Sequence, residues 1–122
     1  MTRLTKTIWT IGFLIGFITH SLDILQYGWL PYNFRPLGWN LYWTSLTFLD
    51  PLAAGLIWVR ERWAIILGTA IMASNIAING YTYLIGYEEF FYPLMMQSAF
   101  AGFVFLTASR HWKAQVSISS PP

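Results

Sequence analysis

Four long apolar runs separated by short polar breaks set the pattern of this chain, over residues 8–27, 38–59, 63–86 and 90–109. A helix that crosses the hydrocarbon core of a bilayer needs about 20 predominantly apolar residues, and each run meets that length. The pattern therefore predicts four transmembrane helices. Short connections force sequential neighbours to lie antiparallel and in contact. Only the first connection, 28–37, is long enough to hold structure of its own. Its sequence, GWLPYNFRPL, carries two prolines and several aromatics, which predicts an irregular segment at the membrane surface. Residues 114–122 show no apolar periodicity and are expected to form a flexible C-terminal tail. Residues 1–113 then make a single domain. The fold class expected is an all-α membrane protein, an antiparallel four-helix transmembrane bundle. The first run follows a basic start, as in a signal peptide. It is too long for an h-region and no small-residue cleavage site follows, so it is read as a retained helix.

Polar residues interrupt the runs at helical spacing. Ionisable groups inside a bilayer cost from about 2.5 kcal/mol upward, so they face the protein interior, find partners and mark function. His20, Asp23 and Gln26 are three apart and share a face of the first helix. Asn40, Trp43, Thr47 and Asp50 form a stripe on the second. Asn75, Asn79 and Thr82 do so on the third, and Gln97 offers one amide on the fourth. Four polar stripes predict one shared interior pocket, with Tyr27, Trp43, Tyr81 and Tyr83 as candidate walls. The competing account makes the amides and Thr47 interhelical glue. For Asp23 and Asp50 it is mutual pairing, since two close carboxylates in low dielectric share a proton rather than both ionise. His20, one turn from Asp23, is a candidate for acid–base or proton-sharing chemistry. Asp50 directly precedes Pro51, which removes one helical hydrogen bond and frees the carbonyl of Thr47. The second helix is thus expected to be proline-kinked, beside a cavity at mid-depth.

Composition agrees with a membrane protein. The 122 residues are 56% hydrophobic and 10% charged, against about 25% charged in a soluble domain. The net charge of +2 does not describe a nucleic-acid footprint, because the basic residues sit at the ends of the apolar runs. Arg3, Lys6, Arg60, Arg62, Arg110 and Lys113 fall on one side of the four-span arrangement, and Arg35, Glu88 and Glu89 on the other. By the positive-inside rule both termini are cytoplasmic. The membrane would be the plasma (inner) membrane in a bacterium and the endoplasmic reticulum in a eukaryote. Every tryptophan except Trp43 lies near a span end, as in an aromatic belt. With no cysteine and two histidines, thiolate sites, disulfides, metal sites and bis-histidine haem are not expected, and no cofactor is called for. No phosphate-loop, dinucleotide, zincin or nucleophile-elbow motif is present. Gly12 and Gly16 form one GxxxG pair, which would suit a homodimer contact.

The segments Phe17-Ile18-Thr19-His20-Ser21-Leu22-Asp23, Tyr42-Trp43 and Phe48-Leu49-Asp50-Pro51-Leu52 resemble the EXPERA superfamily, which includes the sigma-2 receptor and the emopamil-binding protein, a sterol isomerase. The sequence is most similar to the sigma-2 receptor branch. The third helix and Tyr92-Pro93-Leu94 are more weakly similar to the isomerase, and the loop after the first helix is shorter here. The resemblance implies a four-helix fold, often homodimeric, with a lipid-accessible pocket for sterols or cationic amphiphiles. It implies that Asp23 pairs with a ligand amine and that Asp50 is its hydrogen-bonded neighbour. Thr19 holds the position of the isomerase histidine, with His20 displaced by one, and a second acid of the isomerase maps near Tyr42 and is missing here. Binding is therefore the leading expectation. Its partner would be a sterol-like, isoprenoid or cationic amphiphilic small molecule, held by Asp23, Asp50, Gln26, Tyr27, Trp43, Thr47, Asn75, Asn79, Tyr83 and Gln97. An isomerase-type enzyme would use His20 and Asp23 to move a double bond by proton shuttle. A small proton-coupled carrier is the third reading.

Overall fold

The computed structural model describes residues 1–119 of the chain. It is helical throughout, with no strand among the described residues: α1 (Arg3–Tyr27), α2 (Leu37–Val59), α3 (Glu61–Leu84), a 3-10 turn (Glu88–Phe90) and α4 (Phe91–Ser119). Local chemistry explains the ends. Thr2 accepts from the backbone N–H of Thr5 at 3.1 Å, the N-cap bond that satisfies an orphan donor of α1. Gly28, at φ 85°, closes α1 by donating to the carbonyl of Ile24 at 2.8 Å. At the end of α3, Gly86 takes φ 116° while its N–H reaches Tyr83 and that of Tyr87 reaches Thr82. This is the paired 5→2 and 6→1 closure of a Schellman motif, and it ends α3 before the predicted position. Arg60 alone separates α2 from α3.

Three segments are long and apolar enough to cross a membrane: Arg3–Tyr27, Glu61–Leu84 and Glu88–Ile118. The 23 residues of α2 have the length as well, with Asn40, Thr44, Thr47 and Asp50 on its buried face. α4 corrects the expected tail. Residues 114–119 continue the helix to Ser119, while 120–122 lie outside the described residues. The stretch from Ala114 has no glycine or proline before Pro121, so an established helix elongates through it at little cost.

The chain divides into two compact units, Lys6–Ala64 and Met1–Thr5 with 65–122. Within the first, α1 and α2 run antiparallel. Lys6 meets Glu61 at 3.9 Å, the Trp58 indole N–H donates to Thr10 at 2.7 Å, and Gly16 faces Asp50. The ammonium of Lys6 also stands 5.6 Å from the Trp58 ring centroid. Buried side chains here are Trp9, Phe13, Trp43, Leu46, Ala53, Ala54 and Ile57. Only Trp9 and Phe13 of α1 are buried, and Ile11, Leu14, Ile15, Ile18, Leu22 and Leu25 are exposed. An outward apolar face of that length suits lipid, not water. Within the second unit α3 and α4 are also antiparallel, tied by Asn79 Nδ2 to Gln97 Oε1 at 2.6 Å and by the rings of Tyr83 and Phe91 at 5.8 Å. The N-terminal amine reaches His111 Nδ1 at 3.3 Å.

Candidate functional site

His20 and Asp23 stand one turn apart on α1, so both side chains point toward the same neighbour. That neighbour is Tyr32, from the connection between α1 and α2. Its phenol donates to Asp23 Oδ2 at 2.7 Å, and its oxygen lies 2.7 Å from His20 Nδ1. With the phenol proton directed at Asp23, His20 must carry a proton on Nδ1 and donate it to Tyr32. The result is a continuous chain of donors, His20 to Tyr32 to Asp23. Burial first, then the hydrogen bond to Asp23 and its charge, push the phenol of Tyr32 far above its usual range.

Tyr32 is delivered by a loop that Asn40 holds from both sides. The Asn40 Oδ1 accepts from the Tyr32 N–H at 3.0 Å, and its Nδ2 donates to the carbonyl of Leu30 at 2.9 Å. Leu30 sits at φ 55°, in the left-handed region that a leucine enters only against steric resistance. A buried amide thus replaces the regular pairing the loop lacks. Around Tyr32 the aromatics gather on Trp43: Tyr32 at 5.5 Å, Phe34 at 5.9 Å and Trp39 at 6.2 Å between centroids. Arg35 lies over Trp39 at 5.1 Å. The guanidinium marks the outer edge of the cluster and Asp23 its inner anion.

The expected residues do not all converge. Asp23 and Asp50 make no hydrogen bond to each other. The α1–α2 register sets Asp50 against Gly16, whereas Asp23 lies seven residues further along α1, or about 10 Å of helix rise. Each aspartate does lie on its predicted stripe, but spacing along one helix says nothing of which turn of the neighbour it meets. Asn40, Trp43, Thr47 and Asp50 are all buried, with Trp43 only 3% exposed. Gln26 is exposed, because three-residue steps rotate by about −60° each and carry it off the face that His20 occupies. Tyr27, at the last residue of α1, is 66% exposed. Asn75, Asn79, Tyr83 and Gln97 belong to the second unit, where Asn79 and Gln97 bond each other and Asn75 is buried. Tyr81 is exposed. Gly16 is not free to serve a second copy, since the side chain of Asp50 occupies the space a Cβ would take.

Tyr32 is the principal residue that pattern reading missed. The signal was a tyrosine with a polar tip in a proline-flanked segment nine residues after Asp23. Buried acceptors beside such a loop recruit the nearest donor. Comparison with protein-family models, curated proteins and solved structures finds no match to this chain.

Proposed function

We propose that this is an integral membrane protein that binds a sterol-like, isoprenoid or cationic amphiphilic small molecule, with Asp23 as the anion that receives a ligand amine. The carrying observation is Asp23 itself. It is a half-buried carboxylate, oriented by Tyr32 through one oxygen, beside an aromatic cluster centred on Trp43. Tyr32 engages Oδ2, and Oδ1 remains as acceptor for an ammonium donor. The exposed ring of Phe34 and the half-buried ring of Trp39, both backed by Trp43, offer cation–π attraction and cover for an apolar body. Cation and hydrocarbon are both provided for within a few residues.

In this reading α2 is the fourth span, kinked at Pro51. Its length of about 35 Å exceeds the ~30 Å core, and its polar stripe is what an interior helix of a bundle carries. Both termini are cytoplasmic. The resemblance to the EXPERA superfamily supports the same assignment through Asp23. The binding role rests on Asp23 alone, since Asp50 stands two turns away.

The test is equilibrium binding of a labelled tertiary-amine amphiphile to the purified protein in detergent. Asp23→Asn removes the charge and is expected to weaken binding by at least about 30-fold, the lower end for truncating a buried charge pair. Undiminished affinity in that variant overturns the reading.

The His20–Tyr32–Asp23 chain favours one second reading, an isomerase that relays a proton to an olefin in a lipid-like substrate. It predicts turnover of such an olefin, lost in His20→Ala; a purified protein with no turnover removes it.

A further inference from the structure

One turn of α2 plays no part in the binding reading, yet it holds the most costly polar groups of the first unit. Asp50 is 4% exposed and Thr47 7% exposed. They stand three apart and so share one face of the helix. Asp50 Oδ1 and Thr47 Oγ1 are both buried with no hydrogen-bond partner. Buried side-chain oxygens in folded proteins are almost always satisfied, so two adjacent orphans point to an occupant. A third oxygen belongs to the same turn. Pro51 lies inside α2 and has no N–H, so it cannot serve the carbonyl of Thr47 four residues before it.

The other face of the carboxylate is closed. Its Oδ2 sits against Gly16 so tightly that a Cβ there would collide with it. The carboxylate is therefore backed by α1 and cannot withdraw in that direction. Among the described residues no basic side chain of this unit pairs with it: Lys6 meets Glu61, His20 bonds Tyr32, Arg35 covers Trp39, and Arg60 and Arg62 lie at the α2–α3 junction, well past Asp50 along the helix. Carboxylate, hydroxyl and proline-freed carbonyl are all oxygen ligands, and together they carry a single negative charge. Backbone carbonyls left free within membrane helices coordinate alkali cations, and here a carboxylate and a hydroxyl stand beside one. A divalent ion would leave a net positive charge in a low-dielectric interior, whereas a monovalent ion leaves the site neutral.

We propose that Thr47 and Asp50 form a binding site for one alkali-metal cation on α2, separate from the amine-binding Asp23. The ion neutralises Asp50 and satisfies both orphan oxygens, while Gly16 keeps the carboxylate in place. The site does not depend on the ligand reading of Asp23.

The experiment compares thermal unfolding of the full chain in detergent with sodium chloride, potassium chloride or choline chloride at equal ionic strength. Sodium or potassium at saturating concentration should raise the melting midpoint over choline by about 5 °C, since an ion that binds only the folded state stabilises it. Thr47→Val keeps the shape and removes the hydroxyl; it should reduce that increment at least by half. Asp50→Asn should abolish it, and Asp23→Asn should preserve it. Identical midpoints in all three salts for the wild type overturn the proposal, with water or a proton then occupying the turn. An increment that survives in Thr47→Val, or that is lost in Asp23→Asn and kept in Asp50→Asn, overturns it by placing the ion elsewhere. If Asp50→Asn does not fold, the Thr47→Val and Asp23→Asn pair decides.

Discussion

Tyr32 shows how one side chain converts two separate polar groups into a site. His20 and Asp23 share a face of α1, but their mutual geometry acquires chemical meaning only through the phenol between them. Because burial and Asp23 both oppose the tyrosinate, Tyr32 stays neutral well above the ordinary tyrosine value of about 10. The raised value has a defined sign for stability. The contribution is complete below the unfolded value near pH 10 and is lost progressively as pH rises beyond it, because only the unfolded chain then sheds the proton. Ultraviolet titration of the native protein to pH 11 should therefore give the same tyrosinate amplitude in wild type and Tyr32→Phe; a smaller amplitude in the variant would show that Tyr32 titrates normally. At this scale His20, Asp23 and Asp50 stood out in the sequence, because ionisable groups in apolar runs are conspicuous. Tyr32 did not, since an aromatic in an interfacial loop is unremarkable until its acceptor is known.

At the scale of elements, periodicity identified the helices and the stripe on α2, and four of its members, Asn40, Trp43, Thr47 and Asp50, are buried as a set. Register was not legible. The contacts of Thr10 with Trp58 and of Gly16 with Asp50 fix which turns of α1 and α2 meet, and they separate the two aspartates. Gly16 had looked like half of a dimer motif, but within this chain its missing Cβ makes room for Asp50. Gly16→Ala must displace that carboxylate or shift a helix, at about 1–3 kcal/mol, the usual range for overpacking. In an Asp50→Ala background most of this penalty should vanish. Chemical denaturation of the four proteins in a double-mutant cycle measures the coupling, and equal penalties in both backgrounds would contradict the contact. The end of α4 was misplaced for a simpler reason: weak apolar periodicity marks the end of a buried face, not the end of a helix.

For the molecule as a whole, composition pointed to the class, and three helices long and apolar enough to cross a membrane, with the exposed apolar face of α1, agree with it. The division into two units was not readable from four runs of similar length, because it depends on which helices share contacts. The proposed four-span topology can be checked directly, as the chain has no cysteine of its own. Single cysteines at Thr2 and Arg62 should react with a membrane-impermeant thiol reagent from one side and a cysteine at Glu88 from the other. Labelling of Arg62 and Glu88 from the same side would exclude the arrangement. The unit Lys6–Ala64 has a further consequence for how the protein is made. Its residues leave the ribosome before residues 65–119, which follow over several more seconds at about 5–20 residues per second. His20, Tyr32, Asp23 and the clamp of Asn40 all lie in that first hairpin, so the bond between phenol and carboxylate can form before α4 has been synthesised. The site is then an early product of biogenesis, complete before the second unit has been made.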